Sequence, residues 1–255
     1  MYLYSNAHGE ALERLKRLER IEDDRTIAIL QRLPGLDGLN CLEVGAGAGS
    51  IAAWLAERVG SSGSVLATDI DPSHLDGSKY NVLQHDIQTD DLPEGKFNLV
   101  HLRHVLMHVR SPLSVLARIR DSLTIGGYLV VEESDLRTWA ALTDHLKAEF
   151  GKGIGKVLEV YAARGMNIAM GAMLPGILSD AGYEIMHSDS ASRTVAGGSE
   201  ESAYQGLSTR QLAWSLAKEQ PEISRSLAEF AACFGDPNLR YRSRTTVSVC
   251  ARRVR

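Results

Sequence analysis

The sequence predicts an α/β fold in which a mostly parallel sheet is covered by helices on both faces. Two observations predict it. Short apolar segments alternate with helical ones between residues 40 and 133, an order typical of βαβ units and of a sheet buried on both sides. A glycine-rich segment, residues 45–49, joins the first apolar segment to the helix that follows. Such a tight turn favours glycine, so the segment marks a strand-to-helix junction.

The elements follow in order along the chain. Leucine and isoleucine at helical spacing predict a first helix over residues 8–33, which Pro34-Gly35 ends. We then predict strands at 40–44, 65–68, 81–85, 97–102 and 128–131, helices at 50–59 and 112–123, and a further helix starting at Pro72. Beyond residue 133 we predict helices within 138–181 and 199–233, a break at Pro221, and two last strands at 183–188 and 245–251.

Length and composition favour one domain over residues 1–255. The 255 residues are 44% hydrophobic and 24% charged, as in an ordinary globular protein. We divide this domain into an N-terminal helical arm (1–35), a cofactor-binding core (36–135) and a substrate-side region with the last two strands (136–255).

The charge balance and the cysteines limit the partners and the compartment. The net charge is -4, and Arg252, Arg253 and Arg255 form the one basic cluster, so we expect no nucleic-acid partner. No signal peptide or apolar run of membrane length is present, so we expect no membrane partner. Three widely spaced cysteines indicate free thiols in a reducing compartment, and we expect a cytoplasmic protein.

The glycine loop, residues 45–49, is the strongest functional signal. A dinucleotide site needs Gly-x-Gly-x-x-Gly, whose last small residue would fall at Ser50. The sequence instead has glycine at 45, 47 and 49, with Glu43 two residues before the first. This spacing disfavours a nicotinamide oxidoreductase.

Two aspartates follow the next two predicted strands. Asp69 lies a little over 20 residues beyond the glycines, a distance suited to an acid that binds ribose hydroxyls. Asp86 follows the third strand, where it would lie near the same ligand. Each aspartate has an alternative role, since an acid at a strand end often stabilises the following turn.

These residues resemble class I S-adenosylmethionine-dependent methyltransferases, and in particular actinobacterial-type enzymes of small-molecule metabolism. Glu43 with the glycine loop resembles motif I. The segments Tyr2-Leu3-Tyr4, residues 67–72, 105–108 and 129–133 carry the closer resemblance. One departure is Asn98, where the family usually has aspartate. No Asn-Pro-Pro-Tyr-type motif follows the fourth strand, which disfavours amino-methylation of nucleic-acid bases.

The resemblance implies a Rossmann-like, seven-stranded sheet with an added helical cap and S-adenosylmethionine as cofactor. It implies that Asp86 accepts a hydrogen bond from the adenine amino group and that Ile87 offers its backbone N–H to the ring. Tyr4 would close over the cofactor, together with Tyr2. The full predicted cofactor set is Tyr4, Glu43, Gly45, Ala46, Gly47, Asp69, Ile70, Asp86, Ile87 and Arg103.

The segment after the fourth strand should lie near the transferred methyl group. His104 and His108 are candidates for a general base that deprotonates a hydroxyl, and Glu133 is a third candidate. The i, i+4 spacing of the two histidines also allows a metal site, but no carboxylate or cysteine partner is suitably spaced, so we predict none. A structural histidine that bonds to the backbone is the alternative for each.

The sequence therefore predicts methyl transfer to a small molecule, on oxygen or nitrogen, in secondary metabolism. The alternative is a protein of the same fold that binds S-adenosylmethionine but catalyses another reaction or regulates, because fold does not fix function. A homodimer is a candidate assembly.

Overall fold

The computed structural model describes Tyr4 and residues 8–254, and these form two compact units. The sheet unit consists of Glu22–Ser134, Ala169–Ser190 and the residues from Thr246 onward. The helical unit consists of the described residues up to Ile21, Asp135–Ile168 and Ala191–Thr245. Each unit is thus assembled from segments that are far apart in the sequence.

Helices and strands are numbered along the described chain. The helices are α1 (Ala11–Leu30), α2 (Ser50–Val59), α3 (Pro112–Ser122), α4 (Lys147–Ala163), α5 (Met170–Asp180), α6 (Glu200–Leu216) and α7 (Pro221–Cys233). The strands are β1 (Asn40–Val44), β2 (Ser64–Asp69), β3 (Asn81–Gln84), β4 (Phe97–Arg103), β5 (Leu123–Asp135), β6 (Ala140–Ala141), β7 (Tyr183–Ala191), β8 (Thr194–Ala196), β9 (Arg240–Arg242) and β10 (Thr245–Arg253).

The sheet unit contains a seven-stranded sheet in the order β3-β2-β1-β4-β5-β10-β7. β1 runs parallel to β2 and β4, β2 is parallel to β3, and β4 is parallel to β5. The first five strands therefore end at one edge, where ligands bind in open α/β sheets. The predicted seven-stranded, Rossmann-like sheet is confirmed.

Burial explains why the central strands are nearly continuous apolar runs. Leu42, Leu99 and Leu102 are fully buried, as expected for parallel strands covered on both faces. Helix α2 contributes Ile51 and Leu55 to the core that contains Leu99. It ends at Gly60, whose φ of 64° lies in the left-handed region that favours glycine.

The predicted helix at Pro72 is wrong. The structure has turns there because Asp71 and Asp76 bind the backbone N–H groups two residues further on, those of Ser73 and Ser78. Such local bonds offer the backbone an alternative to a helix. Strand β5 also begins earlier than predicted, at Leu123, and its pairing with β4 shifts register before the predicted strand.

The helical unit contains α4, α6, α7 and a small antiparallel sheet in the order β6-β9-β8. These three strands have two or three residues each, too few to show alternation in the sequence. Gly153 lies within α4 where a Cβ atom would overlap the ring of Phe230 on α7. The glycine therefore permits close packing of these two helices. The aromatic core around this contact comprises Trp139, Phe150, Phe230, Phe234 and Tyr241.

Candidate functional site

The glycine loop connects β1 to α2 with three left-handed residues. Gly45, Gly47 and Gly49 have φ values of 67°, 61° and 87°, a region that other residues rarely adopt. A Cβ atom at Gly45 would lie only 2.6 Å from Cγ2 of Val105. The loop therefore needs glycine both for its conformation and for its close approach to the segment after β4.

Asp69, at the end of β2, binds directly to this loop. Its Oδ2 accepts a hydrogen bond of 2.9 Å from the Gly47 N–H, and Oδ1 accepts one of 3.0 Å from the Asp71 N–H. Burial raises the pKa of Asp69 while these backbone bonds oppose the rise. The side chain of the next residue, Ile70, is 47% exposed. The structure thus brings the predicted ribose acid to the glycine loop and places an exposed apolar side chain beside it.

Asp86 follows β3, the strand next to β2. The register and the His85 N–H bond of 2.9 Å to the Asp69 carbonyl place the two strand ends side by side. Asp86 Oδ1 accepts from the Gln88 N–H at 2.9 Å, so the carboxylate also stabilises the turn. Ile87 is buried, and its carbonyl accepts a bond from the Arg118 guanidinium. The adenine role of both residues stays a prediction.

Glu43 is buried within the sheet unit. Its Oε2 lies 2.7 Å from Nδ1 of His101 on β4, and Nε2 of that histidine lies 3.4 Å from Oε1 of Glu132 on β5. The side chains of Glu43, His101 and Glu132 are 6%, 0% and 1% exposed. The sequence interpretation missed this cluster. The available signal was that each residue interrupts an apolar strand.

Arg103, the last residue of β4, binds residues of α1. Its guanidinium donates to Oδ1 of Asp23 and to Oγ1 of Thr26, each at 2.9 Å. Burial alone would lower the pKa of Arg103, but the nearby carboxylate of Asp23 raises it. A role of Arg103 toward cofactor stays a prediction, since its described partners are these protein groups.

His104 directly follows β4 in a strained conformation. Its φ of 57° makes it the single non-glycine residue with positive φ in the described part of the chain. The His104 N–H donates to the Glu132 carbonyl at 2.8 Å. Strain of this kind concentrates at functional sites. His108 ends a short 3₁₀ turn, Leu106–His108, and is half-buried.

Glu133 is completely buried and holds the segment after β4. Its Oε1 accepts from the Val105 N–H at 2.9 Å and from the Leu106 N–H at 2.6 Å. Burial raises the pKa of Glu133 to about 8, although the backbone N–H bonds oppose this rise. Near neutral pH the side chain is therefore mostly protonated, which suits a positioning role better than that of a base.

Tyr4 lies in the helical unit. Its hydroxyl bonds to that of Tyr161, and the guanidinium carbon of Arg14 lies 4.7 Å from the centre of its ring. The predicted closure over cofactor is untested, and Tyr2 falls outside the described residues. The three cysteines are free thiols.

Neither a cluster of metal ligands nor a membrane-spanning helix occurs in the described residues. Over residue 4 and residues 8–254, no three histidine, cysteine or acidic side chains come together as metal ligands. No helix in the same residues combines the length and the apolar character needed to cross a membrane.

Comparison with known proteins identifies the family. A model described as a methyltransferase domain matches residues 14–188, more than half of the chain. The chain therefore belongs to this methyltransferase family, and the predicted resemblance to S-adenosylmethionine-dependent methyltransferases is confirmed.

Two curated relatives are similar to parts of this chain. An uncharacterized 37.1 kDa protein in transposon TN4556 of Streptomyces fradiae is 28% identical over 166 residues, which cover 62% of this chain and 47% of that protein. The tRNA U34 carboxymethyltransferase of Dichelobacter nodosus is 34% identical over 107 residues, which cover 38% of this chain and 33% of that protein. The chain thus spans less than half the length of these relatives.

Solved structures share the fold. An S-adenosylmethionine-dependent methyltransferase from Mesorhizobium loti has a TM-score of 0.52 at 16% identity, with 89% of this chain and 96% of that one covered. Geranyl diphosphate C-methyltransferase from Streptomyces coelicolor, solved with S-adenosyl-L-homocysteine, has a TM-score of 0.55 at 15% identity, with 99% and 87% covered.

Proposed function

We propose that the chain transfers a methyl group from S-adenosylmethionine to a small-molecule acceptor. The charge distribution supports a small molecule, and not a nucleic acid, as the acceptor. The net charge is -4, and many basic surface side chains already bind carboxylates. Arg17 and Arg20 lie 2.6 and 2.7 Å from Glu200. Arg164, Arg193 and Arg210 are paired in the same way with Glu219, Glu201 and Glu10. A nucleic-acid backbone, which is bound through free basic groups, would have to break these pairs.

The residues present suit this cofactor. S-adenosylmethionine has no phosphate, so its site needs close backbone approach and a ribose acceptor but no phosphate cradle. The left-handed glycine loop provides the first, and Asp69, held by the Gly47 N–H, provides the second. Asp86 and Ile87 lie at the neighbouring strand end for the adenine. Bound there, the cofactor would supply a methyl group activated on a sulfonium.

The chain itself must orient the acceptor and take its proton if the nucleophile is a hydroxyl. We rank His104 above His108 as the base that accepts this proton, because His104 directly follows β4 and has the strained backbone conformation. Replacing a general base costs a factor of about 100 or more in rate. Turnover by His104→Gln and His108→Gln, measured across pH beside thermal unfolding, tests the assignment. Slowing that only matches the unfolded fraction would contradict it.

Labelled methyl transfer tests the acceptor class. The purified protein is incubated with methyl-labelled S-adenosylmethionine in three parallel reactions. One contains low-mass metabolites, one contains bulk tRNA and one contains protein. We expect label in the low-mass fraction together with release of S-adenosylhomocysteine. Label in tRNA would contradict the acceptor class, and bound cofactor without any release would favour the non-transfer alternative. Asp69→Ala should weaken the signal at limiting cofactor, whereas His187→Gln, at an exposed position of β7, should leave it unchanged.

The setting we propose is secondary metabolism in the cytoplasm. The support for this compartment is the three free thiols, which are typical of reducing surroundings. The support for secondary metabolism is the resemblance to actinobacterial enzymes.

A further inference from the structure

A buried histidine on β4 connects carboxylates from β1 and β5, the two strands on either side of it. Nδ1 of His101 lies 2.7 Å from Glu43 of β1, and Nε2 lies 3.4 Å from Glu132 of β5. Parallel pairing places His101 directly beside Glu43. The three side chains thus form a line across the strands, which we name the sheet brace.

Elementary chemistry restricts the protonation of the sheet brace. An ionised carboxylate only accepts hydrogen bonds, and a neutral imidazole donates from one nitrogen alone. Both contacts of His101 are therefore satisfied when the ring is an imidazolium that donates from both nitrogens. The pKa of His101 agrees: burial alone would lower it, but Glu43 and Glu132 raise it to about 9.

Other groups fix the far end of the sheet brace. Glu132 accepts from Oγ1 of Thr26 on α1 at 2.5 Å and from Oγ of Ser248 on β10 at 2.7 Å. Nε of Arg25 lies 3.9 Å from its Oε2. Glu132 therefore has a crowded and well-determined position, and it anchors the imidazolium.

The surroundings of the ring carry an excess of negative charge, which favours a protonated ring. The acids around the cluster are Glu43 of β1, Glu132 of β5 and Asp23 and Glu22 of α1, and the bases are Arg25 of α1 and Arg103 of β4. Four acids face two arginines, so an imidazolium offsets one of the two excess negative charges. A neutral ring would leave both of these buried charges uncompensated, which is costly.

The near end of the sheet brace lies at the base of the glycine loop. Glu43 precedes Gly45 by two residues, and its carbonyl accepts from Oγ1 of Thr68 at 3.1 Å. The side chain and the backbone of Glu43 are thus both held. We propose that His101 is a positioning residue, which as an imidazolium fixes Glu43 and with it the glycine loop for cofactor. This inference rests on the proposed cofactor site.

Affinity for S-adenosylhomocysteine tests the proposal. His101→Gln has no positive charge and turns a carbonyl oxygen toward one carboxylate, so we expect at least tenfold weaker binding by calorimetry. The double variant His101→Gln/Glu132→Gln has the same net charge as the wild type and lets the two amides bond to each other. We expect its affinity to return to within about threefold of the wild type. His187→Gln, an exposed histidine bonded to Arg32, is the matched control and should bind normally.

A second measurement reads the proton directly. Nitrogen-15 spectra of the imidazoles should show both nitrogens of His101 protonated from pH 6 to 8. A neutral His101 ring at pH 7 would overturn the proposal, as would unchanged affinity in His101→Gln or a double variant no better than the single one. Wild-type protein that binds no S-adenosylhomocysteine would instead overturn the proposed cofactor site, and the positioning role with it.

Discussion

Glu132 and Glu133 are neighbours on β5 and are equally buried, but we expect Glu132 to be ionised and Glu133 to be neutral. Successive side chains of a strand point to opposite faces. On one face Glu132 meets His101, Thr26 and Ser248. On the other, Glu133 accepts only from backbone N–H groups, through Oε1.

In this sheet the hydrogen-bonding partners of a carboxyl group, and not its burial, decide whether it is ionised. Burial alone would raise the pKa of both. The contact with His101 lowers the pKa of Glu132 to about 2, whereas burial raises that of Glu133 to about 8. Two adjacent glutamates that look alike in the sequence therefore have different tasks: Glu132 is a charged anchor, and Glu133 is a neutral acid that holds the segment after β4.

The largest expected effect is on stability when the two glutamates are changed in the same way. Glu132→Gln removes one charge of a buried network and turns amide hydrogens toward groups that donate. We expect a loss of about 3 kcal/mol or more in the free energy of unfolding. Glu133→Gln keeps an oxygen for the Val105 and Leu106 N–H groups and removes no charge near pH 6, so we expect a loss below about 1 kcal/mol. Urea unfolding at pH 6 measures both, and equal losses would break the comparison.

Asp69 extends the comparison to a carboxylate that is half-buried at the glycine loop. Asp69→Ala removes the acceptor for the Gly47 N–H and, in the proposed site, for the ribose. We expect cofactor affinity to fall by about 1.5–3 kcal/mol, the size of a charge-assisted hydrogen bond. Calorimetry with S-adenosylhomocysteine measures this, and Asp71→Ala is the neighbouring control. Unaltered affinity in Asp69→Ala would refute the ribose assignment.

The two glutamates should change the stability of the fold in opposite directions as the pH rises. Glu133 has a folded pKa above its unfolded value, so the folded state holds its proton longer and stability falls as pH rises from about 4.5 to 8. Between pH 6 and 8 we expect the wild type to lose about 2 kcal/mol from this group, at most about 1.4 kcal/mol per pH unit. Glu132 has the opposite shift, so its contribution is present above about pH 4.5 and is lost as pH falls toward 2.

The control for this pH effect is Glu133→Gln, which has no proton to lose. Chemical unfolding at pH 6 and pH 8 should show a smaller loss in Glu133→Gln than in the wild type. The same slope in both proteins would show that Glu133 is already ionised in the folded state.

The smallest expected effect concerns the strain beside these glutamates. His104 is bonded through its N–H to the Glu132 carbonyl and has a φ of 57°. Glycine adopts this conformation without penalty, so His104→Gly should raise stability, or leave it unchanged, within about 1 kcal/mol. It should also lose turnover if His104 is the base. A variant that is destabilised by several kcal/mol would show that the ring has mainly a structural role.

Much of the fold was readable from local patterns. β1 and α2 have the predicted bounds, because apolar runs and the glycine loop are local signals. The prediction of a helix at Pro72 was wrong because the side chains of Asp71 and Asp76 accept hydrogen bonds from backbone N–H groups two residues further on. The short strand β9 was not predicted, because its three residues are too few to show the alternation of apolar and polar side chains that marks a strand.

What the sequence determined by itself was the glycine loop, the order of strands and helices, and the family. These follow from residues close together in the chain, where spacing and backbone conformation are linked directly. The tertiary structure alone decided the sheet brace, because Glu43, His101 and Glu132 meet only when three strands pair in register. It also decided the charge of Glu132 and Glu133, since a pKa depends on the groups that surround a side chain in space. Local residue types cannot carry that information, which arises only when distant segments are buried together.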